Sequence, residues 1–291
     1  MNLFKVIISV VTLTFMLATL STMASSVEEG REALQNEDYV LALEHFKPLA
    51  EEGNSDAQAF LGGMYLVGEG VDQDFEKAAS WLKLAAGQGD AIAQNNLGWL
   101  YQNGSGVSRN YQEAMKWYRQ AAEQGVDGSQ ENLALIYYYG RGVKRDYSEA
   151  ARWFELAAEQ GLPKSQGYLG DMYYFGNGVS VDHERSAQLF RLSAEQGDPS
   201  SQYQLGVLYL HGEGVAQDDT MAAEWFHKAA EQGHELAQYN LGAMYENGWG
   251  VEQDHTKSVH WYQKAAEQGV EEAKDVLDEF AAQGIDESMD N

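Results

Sequence analysis

The sequence predicts an all-α solenoid, and three observations predict it. The stretch 97–125, LGWLYQNGSGVSRNYQEAMKWYRQAAEQG, recurs down the 291-residue chain at a step of about 36 residues. In each copy a small residue, a Leu and a Tyr stand at i, i+4 and i+8, which is one stripe of an α-helix and not the alternation of a strand. Glycines then fall at fixed offsets, where a helix must stop and the chain must turn back. Each copy therefore reads as two antiparallel helices, A and B. Units of this kind stack into a continuous core.

Residues 1–24 read as a secretory signal. Lys5 supplies the positive start, VIISVVTLTFMLATL (6–20) is an uncharged apolar run, and small residues lead to a cleavage point after Ala24. The alternative is an uncleaved anchor, although the run is shorter than the ~20 residues of a spanning helix. Export to the periplasm, or secretion, is the resulting expectation, with no membrane contact after cleavage. Residues 25–56 form an N-terminal capping half-repeat. Its Ala42, Phe46, Leu49, Ala50 and Gly53 stand one period before Ala78, Leu82, Ala85, Ala86 and Gly89, but its first part has no paired glycines. Pro48 lies inside its helix and is expected to bend it. Six full repeats follow over 57–272. A last amphipathic helix, 273–284, closes the stack with Val276, Leu277 and Phe280 on one face, and 285–291 form a flexible tail.

The repeats can be read in register. Helix A carries Leu61-Gly62, Leu97-Gly98, Leu133-Ala134, Leu169-Gly170, Leu205-Gly206 and Leu241-Gly242, with Tyr65, Tyr101, Tyr137, Tyr173, Tyr209 and Tyr245 one turn on. A Gly-x-Gly-Val loop follows. Its first Gly suits a left-handed helix stop and its second a tight return. Asp74, Asn110, Asp146, Asp182, Asp218 and Asp254 are placed to cap helix B. On helix B, Trp81, Trp117, Trp153, Leu189, Trp225 and Trp261 are expected to fill the core against small residues, so the Leu189 repeat should be the weakest joint. Ala-Ala-x-Gln-Gly or a close variant ends each helix B.

These elements together resemble the Sel-1-like repeat family, relatives of the tetratricopeptide repeats, in an exported bacterial form without cysteines. The resemblance covers 57–269 and, more loosely, the flanking half units. It implies a right-handed superhelix of antiparallel helix pairs that acts as a scaffold or adaptor for other proteins, in bacteria often in the envelope. One exported branch carries a disulfide in each repeat, and this chain, with no Cys, lacks those residues.

Composition narrows the function classes. The chain is 44% hydrophobic and 12% aromatic, enough for a packed core and unlike a disordered chain. Its formal net charge is −26 and it holds no Lys/Arg cluster, which excludes a nucleic-acid partner. The Gly-x-Gly loops lack the preceding strand and the Lys-Ser/Thr continuation of a phosphate cradle. Acidic pairs such as Asp72 and Asp74 lack the spacing of a calcium loop. The seven His are scattered without a ligand pair, so neither a metal site nor a cofactor is expected. No nucleophile elbow or convergent catalytic set appears, and an enzyme is not expected.

Specificity is expected where repeats differ. On helix A, Phe60/Asn96/Asn132/Tyr168/Gln204/Asn240, Gly63/Trp99/Leu135/Asp171/Val207/Ala243 and Val67/Asn103/Tyr139/Phe175/His211/Asn247 lie at i, i+3 and i+7, on one face apart from the constant stripe. In superhelices of this kind helix A lines the concave side. The candidate partner-binding residues are Trp99, Tyr138, Tyr139, Tyr168, Tyr174, Phe175 and His211, with Tyr203 and Tyr239 near the edge. Such a density of aromatics suits a groove for a protein segment, either an extended peptide or a helix. Packing between repeats would account for some of the same rings. Peptidoglycan is the alternative ligand, because aromatic faces also stack on sugars, and a spacer between envelope components is a third reading. The constant Gln column (Gln58, Gln94, Gln130, Gln166, Gln202, Gln238) is expected to be structural. A monomer is expected.

Overall fold

A computed structural model of the chain describes residues 26–285; the expected signal peptide and residues 286–291 of the expected tail lie outside them. The described residues form fifteen helices and no strand. The chain divides into two compact units, the first ending at Arg145 and the second beginning at Asp146.

The first unit holds α1 (26–35), α2 (Tyr39–Glu51), α3 (Ser55–Val67), α4 (Phe75–Gly87), α5 (Ala91–Asn103), α6 (Tyr111–Glu123) and α7 (Asp127–Tyr139). The second holds α8 (Tyr147–Glu159), α9 (Pro163–Phe175), α10 (His183–Glu195), α11 (Pro199–His211), α12 (Asp219–Glu231), α13 (Glu235–Asn247), α14 (His255–Glu267) and α15 (Glu271–Gln283). Within each unit consecutive helices pack on one another, which is the all-α solenoid arrangement.

Helix limits follow from local chemistry. Asp74, Asn110, Asp146, Asp182, Asp218 and Asp254 all cap the second helix of their repeat by accepting from backbone N–H groups of its first turn. Gly68, Gly104, Gly140, Gly176, Gly212 and Gly248 end the first helices in the left-handed conformation. The loop between them is closed by a bond from the cap residue back to the constant Tyr, as from Asp74 N–H to the Tyr65 carbonyl at 2.9 Å. Pro48 lies inside α2 without ending it.

The second glycine of each loop does more than permit a tight return. A Cβ on Gly106 would stand 2.1 Å from the Phe75 carbonyl oxygen, and one on Gly250 would stand 2.2 Å from that of Asp219. Each loop is pressed onto the start of helix B of the preceding repeat, so this glycine sets the spacing between repeats. No side chain fits there.

The core is a chain of local clusters. Ala78, Leu82, Ala85 and Ala86 of α4 pack with Ala93, Leu97 and Leu100 of α5, and Trp117 of α6 leans against them. In the second unit, Ala222, Phe226 and Ala229 of α12 pack with Ala237, Leu241 and Met244 of α13, with Trp261 of α14 against them. Each cluster joins one helix B to the next helix A, and the following Trp ties in the repeat beyond. The deepest positions are held by the residue after the Trp column, as with Leu82, Tyr118, Phe154, Phe226 and Tyr262, all at 0–1% exposure. The constant glycine of helix A makes room for them: a Cβ on Gly98 would lie 2.7 Å from the Tyr118 ring and one on Gly206 2.7 Å from that of Phe226.

Candidate partner-binding surface

The constant residues of helix A are consumed by packing. Gln58, Gln94, Gln130, Gln166, Gln202 and Gln238 are each buried to 3–4% exposure. Gln94 Nε2 donates to the Ala86 carbonyl at 3.2 Å, and its Oε1 accepts from Gln124 Nε2 at 2.8 Å. The same pair of bonds recurs at Gln58 with Gln88, Gln166 with Gln196, Gln202 with Gln232 and Gln238 with Gln268. Both polar ends of the amide are satisfied within the repeat stack, and none is turned toward a ligand.

The variable columns behave differently. In the first unit Trp99 is 40% exposed and Tyr139 48%. Trp99 leans on Phe75 with ring centroids 6.4 Å apart, and the half-buried Tyr138 sets its edge to Tyr139 at 5.1 Å. In the second unit Phe175 is 63% exposed and His211 is exposed at the end of α11. Tyr174, half-buried, donates through its hydroxyl to Glu213 Oε2 at 2.6 Å and stacks on His183. That bond to a carboxylate, followed by burial, raises the phenol's pKa.

Three other candidate rings lie half-buried against helix B. Tyr168 stacks flat on Phe154 at 5.1 Å, Tyr203 stacks on His234 at 4.6 Å and tilts against Phe226, and Tyr239 tilts against Tyr262 at 5.4 Å. Their ring faces are taken up by this packing.

Clefts open on these columns in both units. In the first, a cavity of about 310 Å³ is lined by Phe60, Gly63, Val67, Ile92 and Asn96, with Arg31 and three carboxylates at its rim. An adjoining cavity of about 430 Å³ shares Val67 and Asn96 and is bounded by Phe75 and Trp99. In the second, a cavity of about 350 Å³ is lined by Tyr168, Asp171, Phe190, Asp198 and Gln204, among others. Burial of Asp171, and secondarily the carboxylate of Asp198, pushes its carboxyl up to about 6.

Gly63, Ile92 and Asp171 are functional candidates that aromatic counting alone passes over. Gly63 carries a readable signal, a glycine inside a helix in a column that elsewhere holds Trp99, Leu135 or Val207. Among the described residues no group of three or more His, Cys, Asp or Glu converges to hold a metal ion. None of the described helices is long and apolar enough to cross a membrane.

Comparison with known proteins places this geometry in a family. The Sel1 repeat model matches seven consecutive segments, 23–54, 55–90, 91–126, 128–162, 163–198, 199–234 and 236–270. A solved protective antigen present in uropathogenic Escherichia coli strains, which displays an SLR fold, is 39% identical over 92% of this chain with a TM-score of 0.84. This chain spans 59% of that antigen's length. A Sel1 repeat protein from Oxalobacter formigenes is 35% identical over 82% of this chain and 96% of its own, with a TM-score of 0.72. No curated protein matches the sequence. Sel1 repeat proteins generally mediate protein–protein interaction, on a fold that is generally a non-enzymatic scaffold. With the repeat matched along nearly its whole length, the chain belongs to the Sel1 repeat family.

Proposed function

We propose that this chain is an exported, non-enzymatic scaffold that binds another protein, as an extended peptide or a helix, along the variable face of its first helices. One observation carries the reading. Of the positions at which repeats disagree, Phe60, Gly63, Val67, Asn96 and Trp99 line clefts in the first unit and Tyr168, Asp171 and Gln204 in the second, beside near-constant residues such as Met64 and Phe190. Most positions that repeat are spent on caps, loops, core packing and the Gln ladder. Exposed rings at Trp99, Tyr139 and Phe175 supply rigid contact area of the kind that dominates protein interfaces.

Export rests on Lys5, the apolar run 6–20 and the small residues before Ser25. The periplasm is the proposed compartment, and the working form is a monomer.

The test places a photocrosslinking residue at Trp99, Tyr139 or Phe175, and for comparison at the exposed helix B residues Lys83 and Glu155, in cells of the native host. Protein adducts from the first set and not the second are expected, with a mature chain beginning at Ser25. A triple alanine variant at Trp99, Tyr139 and Phe175 should fold normally and lose the crosslinked protein. Equal adducts from both sets would remove the groove assignment. Absence of protein adducts, together with co-sedimentation on purified sacculi, would replace a protein partner with peptidoglycan.

A further inference from the structure

The 310 Å³ cavity in the first unit lies where α1, α3 and α5, three successive first helices, meet the surface. Its floor is fixed. Phe60 stacks on the fully buried Phe46 with centroids 4.7 Å apart, and the Arg31 guanidinium lies 5.1 Å from the centre of the Phe60 ring. Its walls are apolar and open to solvent: Val67 is 61% exposed and Ile92 58%. Gly63 leaves the space between them. A Cβ built on Gly63 meets nothing within 4 Å, so no neighbour requires a glycine there. A glycine inside a helix costs about 1 kcal/mol relative to alanine, and here the only structural return is the void. The constant Gly62 beside it is the contrast, since its Cβ would strike Leu82 at 2.7 Å.

The rim is acidic. Asp56, Glu69 and Asp90 line it against a single guanidinium; Asp90 also caps α5 by accepting from Ala93 N–H at 2.6 Å, and Arg31 is already engaged by Asp56 at 3.5 Å and Glu28 at 3.8 Å. A cavity near 310 Å³ stands at the lower end of the roughly 300–1,000 Å³ typical of ligand sites, a scale suited to a side chain.

We propose that this cleft is an anchor pocket, which takes one large apolar side chain from a partner segment carrying a Lys or Arg beside it. The inference rests on the variable face being the binding surface and names the first contact made there. Apolar walls take the anchor, and the carboxylate rim selects the flanking charge and rejects acidic segments.

Random peptides displayed on phage are selected on the full chain, and the enriched set is then challenged with Gly63→Leu, whose side chain grows into the cavity. Ile92→Asp serves as a second variant because Ile92 is exposed and its replacement leaves the core intact. Enriched peptides should share a Leu, Ile, Phe or Trp next to Lys or Arg. They should bind Gly63→Leu and Ile92→Asp at least tenfold more weakly, the loss expected when one apolar side chain is no longer buried. Gly63→Ala should melt higher than the wild-type chain and bind within about threefold of it. Peptides without that pairing, or indifferent to both cleft variants, overturn the anchor pocket. If such peptides still crosslink to Trp99 or Tyr139, the variable face stands and only the pocket falls; if none enriches, or none crosslinks there, both fall.

Discussion

Asp171 sets a carboxyl on the variable face of α9, where burial and the neighbouring Asp198 carboxylate both oppose its ionisation. Its pKa rises from an ordinary 3.8 to about 6, so between those values the folded chain binds more protons than the unfolded one. Stability therefore falls as pH rises through that window, and above it the destabilisation is complete. Asp171→Asn removes the penalty without removing the side chain's volume. At pH 7 the variant should be more stable by on the order of 2 kcal/mol, and at pH 4 the two chains should be nearly equal. Urea titrations of both chains at matched pH would measure this. Groups common to both cancel, including His234, whose burial lowers its pKa. A difference that stays constant from pH 4 to 7 would mean that Asp171 is already well solvated.

At the scale of one helix, the Trp column solves its polar problem unevenly. Trp153 donates its indole N–H to Glu149 Oε1, one turn back, at 2.8 Å, whereas the buried indole nitrogens of Trp117 and Trp225 have no partner. One turn before Trp225 stands Met221, whose backbone N–H is capped by Asp218 at 3.0 Å. Met221→Glu would supply the missing acceptor and place a negative charge at the positive end of α12. It also gives up a partly buried Met at the cluster of Ala187, Leu205 and Trp225. We expect a net gain of about 1 kcal/mol, read as a rise of a few degrees in Tm; a fall would show that the thioether packing is worth more than the bond. Helices, caps and stops were legible from sequence because Asp74, Gly104 and their counterparts act within one repeat. The Gln column was legible because every repeat carries it, although each Gln bonds across the repeat boundary to the end of the helix just before it. What was not legible lies between repeats. Gly106 reads as half of a turn until the Phe75 carbonyl is found against it, and Trp117 reads as core until Tyr118 takes the deeper place. The anchor cleft was hidden too, since Gly63 opens a void only where three helices from different repeats converge.

For the whole molecule, the net charge acts on every repeat at once. A formal −26 on 291 residues repels itself in the folded state, while the local ion pairs that might offset it are weak. Lys77 with Asp74 at 3.1 Å and Lys257 with Asp254 at 2.7 Å are i, i+3 pairs whose lysines are 60% and 58% exposed, so solvent screens both and each contributes little. Salt screens both, but the repulsion is summed over many carboxylates and the attraction over a few pairs. Raising NaCl from about 10 mM, where the Debye length is about 30 Å, to about 150 mM, where it is about 8 Å, should therefore raise Tm. The core itself consists of neighbour-to-neighbour clusters, so the gain should be spread along the array and not confined to one repeat. Binding should respond in the opposite sense. A partner segment chosen by the carboxylates at Asp56, Glu69 and Asp90 loses attraction as they are screened, so its association rate should fall over the same range of salt. Thermal melts and stopped-flow association on the same samples would separate the two. Parallel loss of stability and binding with salt would mean that the exposed ion pairs, and not the net charge, govern this chain; stabilisation with no change in rate would leave the acidic rim without a role in recognition.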